Sequence, residues 1–256
     1  MRFGYCCGPG DAVFAKSAGF DYYEWNVGGL LMPLADDAAF EAALAHAKAV
    51  ALPCEALNVM VPGDLKITGP DANPAKLEAY AKTMCGRAKR AGIRRIVFGS
   101  GAARAVPAGF PMEKARGQIA AFLKMLAPFA RDAGVVIVVE PLNKGETNII
   151  NSVAEGAEIV REVNDPNIRL LADAYHMQVD NEPMENLTRH IGLIAHAHVA
   201  SREGRMPPGV VPCAAVQEFL TRLRDAGYDG RVSVEGAGFS AANARVARAT
   251  MCVWTN

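Results

Sequence analysis

The sequence has no apolar run that approaches the roughly 20 residues a membrane span needs. The N-terminus, MRFGYCCGPGD, carries one charge but no apolar stretch of signal-peptide length. A cytoplasmic protein with no membrane partner is therefore expected. An excess of either charge is also missing. Lys and Arg number 27, Asp and Glu number 27, and the formal net charge is +0. A protein that holds a phosphate backbone by bulk charge would be basic, so no nucleic-acid partner is expected. The six cysteines, Cys6, Cys7, Cys54, Cys85, Cys213 and Cys252, show no CxxC spacing, which argues against a thiolate zinc site and against a disulfide framework. The first loop, CCGPGD, lacks the G-x-G-x-x-G pattern of a dinucleotide site, and this counts against a doubly wound open sheet.

What the chain does have is alternation. Val135–Asn148 (VVIVVEPLNKGETN) runs mostly β-branched residues straight into Glu140, and Pro141 then ends the strand because it cannot donate to a sheet ladder. Similar short apolar segments occur at Arg2–Cys7, Asp21–Val27, Leu57–Val61, Arg95–Phe98, Ile168–Ala172, Leu193–Val199 and Val232–Val234. Helical patterns follow them. Asp11 and Asn73 stand at expected N-caps, Pro74 at a first helical position, Gly92 and Gly134 at stops, and Ser152 with Glu155 as a capping box. A helix is also expected over Pro183–Ile191. Eight strand-then-helix units in 256 residues, about 32 each, predict a single (β/α)8 TIM-barrel domain over 1–256.

In such a barrel the chemistry sits at the C-terminal tips of the strands. From the fifth strand onward those tips carry Glu140, Asp173, His198 and Glu235. Three carboxylates and an imidazole converging on one mouth repel each other unless a cation joins them. The oxygen-rich, thiolate-free set favours Mn²⁺, Mg²⁺ or Co²⁺ over structural zinc. His196 has the same strand parity as His198, and the position nearer the strand end selects His198. Glu24 could line the mouth or pair with an arginine. Arg104 could hold an anionic substrate group or be a structural loop residue.

The segments EPLNKGETNIIN from Glu140, DAYHM from Asp173, HAHVASREGRMPPG from His196 and GYDGRVSVEG ending at Gly236 resemble the xylose-isomerase-like barrels of sugar isomerases and epimerases. The ketose 3-epimerase and hydroxypyruvate isomerase branch is the nearest in style. The resemblance implies that Glu140, Asp173, His198 and Glu235 hold one divalent metal, with Mn²⁺ first and Mg²⁺, Co²⁺ or Zn²⁺ as alternatives. It implies that Glu140 and Glu235 double as the acid/base pair. It also implies that Glu146, His176 and Arg205 contact a small sugar or keto-polyol substrate, Arg205 on the assumption of one extra loop residue. Ser201 departs from the pattern, since many relatives carry an acid there. The related apurinic endonucleases need a three-metal, histidine-rich cluster, and only five histidines are present. Barrels of this type often pair, so a homo-oligomer is compatible with the resemblance. The same residues serve epimerisation, aldose–ketose isomerisation and dehydration of a keto-inositol, and a sugar-binding barrel without turnover is the non-enzyme reading.

Overall fold

Eight parallel strands close into a barrel in chain order in the computed structural model, which describes residues 1–255. The strands are β1 (Arg2–Cys6), β2 (Tyr22–Asn26), β3 (Cys54–Asn58), β4 (Arg95–Phe98), β5 (Val136–Val139), β6 (Ile168–Asp173), β7 (Ile194–Val199) and β8 (Arg231–Val234). Closure comes from β8 returning to β1, with Arg2 to Tyr5 in register with Arg231 to Val234. The helices are α1 (Ala12–Ser17), α2 (Val27–Leu30), α3 (Asp37–Ala49), α4 (Pro74–Ala91), α5 (Gly101–Arg104), α6 (Met112–Ala133), α7 (Val153–Val163), α8 (Ala174–Val179), α9 (Glu185–Arg189), α10 (Ala214–Asp225) and α11 (Ala241–Thr255). The expected TIM barrel is thus the observed fold.

Local chemistry accounts for most boundaries. Asn73 accepts from the Lys76 backbone N–H and Asp36 from that of Ala39, so two orphan helix donors are satisfied by side chains. Gly92 and Gly134 take left-handed conformations at the ends of α4 and α6. Ser152 caps α7 as expected, but Glu155 reaches back to the Asn151 N–H rather than to that of Ser152. Asp11 forms no side-chain cap on α1.

Two elements depart from the sequence reading. The third strand begins three residues earlier than Leu57, and it ends at Asn58 because Val59 turns into a left-handed conformation with φ +50°. The helix expected over Pro183–Ile191 is only the short α9, followed by a 3-10 turn at Ile191–Leu193, while α8 starts directly on the tip of β6.

The large apolar core lies between strands and helices, and a smaller cluster of Val97, Val138 and Leu171 is separate from it. Alternation along β4, β5 and β6 points these three into the barrel. On the opposite wall the interior is polar. Tyr22 donates to Ser233 over the intervening β1 at 2.9 Å, and Ser233 donates to Glu24 at 2.7 Å. Tyr22 fits only because residue 4 is glycine, since a Cβ there would lie 2.2 Å from the Tyr22 ring. Gly4→Ala should therefore destabilise the fold by about 1–3 kcal/mol, the usual cost of overpacking, read as a lower urea midpoint with unchanged slope.

Candidate active site

Glu140 follows the last residue of β5, β6 delivers Asp173, β7 delivers His198, and Glu235 follows the last residue of β8. The structure brings these four together at the C-terminal rim. His198 Nδ1 lies 3.0 Å from Glu140 Oε1, 3.5 Å from Glu235 Oε2 and 4.0 Å from Asp173 Oδ2. Asp173 also caps α8 through the Tyr175 N–H, which consumes Oδ1. Its Oδ2 is buried without a hydrogen-bond partner. A buried carboxylate oxygen left in that condition is costly, and a cation would satisfy it. The oxygen and nitrogen donors thus fit a hard or borderline divalent ion.

Two histidines face this cluster, and their outer partners separate their roles. The Asn143 backbone N–H donates to His176 Nδ1 at 3.2 Å, so that ring carries its proton on Nε2, which sits 3.7 Å from Asp173. His176 therefore presents a donor, suited to a substrate oxygen. His198 Nε2 meets Glu24 Oε1 at 3.0 Å on the side away from the rim. With a proton held on Nε2 by that carboxylate, Nδ1 is the nitrogen that faces Glu140, Asp173 and Glu235, and it would give up its proton and offer its lone pair when a cation binds there. His196 lies one layer lower and gives its Nε2 proton to Glu24 Oε2 at 2.9 Å.

Glu24 is the main site residue that pattern reading failed to place. It is fully buried and takes hydrogen bonds from His196, His198 and Ser233, with no arginine involved. Burial alone would raise its pKa, but the two imidazoles outweigh burial and hold it well below the usual carboxylate range. Burial likewise would lower His198, yet the carboxylates of Glu24, Glu235 and Glu140 bring it well above the ordinary imidazole value. Glu140 is raised, chiefly by burial, whereas His198 and Arg205 draw Glu235 down against the effect of burial. Cys6 lies beside Glu24 and His198. Burial and the Glu24 charge push its thiol up, so it stays protonated.

Arg205 spans the mouth. It is 2.5 Å from Glu235, 3.4 Å from Glu146 and 3.9 Å from Asp173, and its guanidinium stacks over Tyr175 at 4.5 Å. Glu146 also accepts from Asn143 Nδ2 at 3.0 Å, so all three expected substrate contacts share one side of the mouth. Asn58 adds a donor to Glu235 at 3.2 Å that the sequence did not flag. Arg104 proves structural. It is fully buried, donates to the carbonyls of Phe98 and Glu140, and is pulled down to about 10 by burial. The mouth is a cavity of about 300 Å³ floored by Glu140 and walled by Gly99, Ser100 and Gly101. A Cβ on Gly99 would stand 2.3 Å from Glu140 Oε2.

These features belong to a defined class of protein. The family model described as xylose isomerase-like TIM barrel matches residues 13–253, and the chain belongs to that family. Among individual relatives, it is 32% identical over 143 residues to the L-ribulose 3-epimerase of Methylomonas sp. (strain DH-1), a match covering 55% of this chain and 49% of that protein. The chain thus spans about half the length of the first curated relatives it matches. A crystal structure of a D-psicose 3-epimerase in the presence of D-fructose superposes with TM-score 0.79 at 20% identity, over 99% of this chain and 98% of that one. The 3-keto-D-glucoside 4-epimerase of E. coli superposes with TM-score 0.78 at 20% identity over the same shares.

If Glu24 sets the His198 tautomer, Glu24→Gln should weaken Mn²⁺ binding roughly 10–100-fold by calorimetry, the usual range for losing such a partner. Gly99→Ala should displace the Glu140 carboxylate and lower Mn²⁺ affinity without lowering the melting temperature as much as Gly4→Ala.

Proposed function

We propose that this chain is a divalent-metal-dependent isomerase that moves a proton beside the keto group of a small sugar, with 3-epimerisation of a ketose as the leading reaction. The observation that carries this reading is the convergence of Glu140 and Glu235 on one imidazole nitrogen, at 3.0 and 3.5 Å, with both carboxylates lining the same cavity. Relatives of this family act on L-ribulose and D-psicose by their names, which supports the same substrate class here.

A proton next to a ketone is weakly acidic, and its removal leaves negative charge on the carbonyl oxygen that must be stabilised. A divalent cation held by Glu140, Asp173, His198 and Glu235, Mn²⁺ in the first instance, would supply that stabilisation as a Lewis acid. Glu140 and Glu235 then act on opposite faces of the substrate. One accepts the proton and the other returns a proton to the same carbon from the far side, and the pair exchanges roles in the reverse reaction. The His176 Nε2–H donates to a substrate oxygen. Arg205 and Glu146 fix the end of the substrate nearest the solvent. Return of the proton to the neighbouring carbon instead gives aldose–ketose isomerisation, and departure of a β-hydroxyl gives dehydration, so the residues permit three outcomes and the substrate chooses among them.

The substrate is read as uncharged. Among the described residues lining the mouth, Arg205 is the one Lys or Arg, and it is paired with carboxylates. A phosphate would find no free cation there. Ketose 3-epimerisation is favoured over epimerisation of a keto-glycoside only by the names of most relatives; both use the same proton transfer.

The test is solvent exchange. In D₂O, the Mn²⁺-treated protein should place deuterium on the carbon beside the carbonyl of a ketose, read by NMR, with a new stereoisomer formed. Glu140→Gln and Glu235→Gln should each reduce this exchange by about 10²–10⁴-fold, the range for losing a positioned acid or base. Full activity in either variant would refute the two-carboxylate mechanism. A phosphorylated ketose should turn over more slowly than its unphosphorylated form.

A further inference from the structure

A second cavity adjoins the mouth and differs from it in every chemical respect. It has a volume of about 360 Å³ and is walled by Met32, Pro33, Leu34, Val59, Pro62 and Tyr80. Val59 lines both cavities, and the loop that follows it divides them, so a molecule seated over Glu140 and Glu235 would reach the second cavity by passing Val59.

The polar side chains that line this annex are few, Asn26 and Tyr80, and each is largely committed elsewhere, with the Asn26 amide N–H group left as the one side-chain donor. Asn26 Oδ1 accepts from the Gly29 N–H at 2.6 Å, and the Tyr80 hydroxyl donates to the Met60 carbonyl at 2.7 Å. A polyol or phosphate entering here would lose its water and recover at most the hydrogen bonds of the Asn26 amide. An apolar group would lose nothing.

The annex is also built rather than incidental. The buried Arg87 guanidinium donates to the carbonyls of Leu31, Met32 and Ala35 and pairs with Asp37, so the wall from Met32 to Ala35 is tied to α4 from beneath. Two wall residues carry backbone strain. Met32 has φ +44° and Val59 has φ +50°, conformations that are unfavourable for a non-glycine residue and worst for a β-branched one. Met32 yields its carbonyl to Arg87, and Val59 yields an isopropyl group that is 55% exposed on the sill between the cavities. Leu34, on the outer lip, is 70% exposed. Large apolar side chains held open on a strained, clamped frame next to a polar reaction mouth are the features of a preformed subsite.

We infer that this annex receives an apolar substituent of the substrate, so that, of the neutral keto-sugars that enter the mouth, those bearing an alkyl or aryl group are held more tightly than unsubstituted ones, with the sugar in the mouth and the substituent beyond Val59. The inference rests on the reading of the mouth as a keto-sugar site and narrows the substrate class within it.

The experiment compares methyl and phenyl 3-keto-β-D-glucoside on the full-length protein with Mn²⁺ by calorimetry, while α-proton exchange in D₂O is followed by NMR on matched samples. The phenyl compound should bind at least about tenfold tighter, the effect of burying a few apolar carbons. Leu34→Ser, at an exposed position, should cut that ratio by half or more. Val59→Gly should raise the melting temperature by relieving strain while lowering the affinity for the phenyl compound. A phenyl-to-methyl ratio short of tenfold, or a ratio untouched by Leu34→Ser, overturns the inference. So does a wild-type dimer, by sedimentation, that Leu34→Ser converts to monomer, because the lip would then be a contact between copies. Exchange on simple keto-sugars with no phenyl preference removes the annex and leaves the proposed reaction standing. A phenyl preference with no exchange on any keto-sugar keeps the annex and removes the reaction.

Discussion

A carboxylate buried inside the barrel is the constraint around which the rest of the site is arranged. Glu24 is fully buried and pairs with no arginine. Its charge is tolerated because two imidazoles and one hydroxyl point at it from β7 and β8. The arrangement serves the rim as much as the interior. By accepting a hydrogen bond from the His198 Nε2–H, Glu24 fixes which nitrogen faces Glu140, Asp173 and Glu235. The polar wall of the barrel and the chemistry of its mouth are therefore one hydrogen-bonded unit running from Tyr22 through Ser233 and Glu24 to His198. Networks of this kind are costly when half made and rigid when complete.

The division between legible and hidden features follows the reach of the interactions. The barrel was legible because each strand-and-helix unit is written locally, in an apolar run, a cap and a stop. The four rim residues were legible because each is marked by its own strand ending. Glu24 stood equally plain within DYYEWN, yet its partners lie more than 170 residues away, and no local pattern states which strand faces which. Arg104 was ambiguous for the same reason, since a loop arginine turned inward onto carbonyls and one turned outward toward an anion look alike in sequence. The third strand was misplaced because LNVMV reads as an ordinary β run, whereas Val59 adopts a conformation that β-branched residues avoid. Strain of that kind runs against local preference, so local preference cannot foresee it.

Small residues give the mouth its shape. Gly99 and Gly101 bring the loop after β4 against Glu140 and the Glu146 backbone more closely than any side chain would allow. The cavity is open there, and selectivity must arise from the opposite rim, where Arg205, Glu146 and His176 cluster, and from the apolar annex beyond Val59. A fixed catalytic floor with variable surrounding loops is the usual division of labour in this architecture.

The pairing of Glu24 on the second strand with Ser233 on the eighth has a consequence for how the site is assembled. As the polypeptide emerges from synthesis, seven strands can form before the last arrives, and through that time the buried carboxylate lacks one partner and the rim lacks Glu235. Contacts this distant in sequence form late and slowly. The chain therefore carries no competent half-barrel. The strand that closes the cylinder also brings Glu235 to the rim, so closure of the barrel and assembly of the rim cluster are a single event.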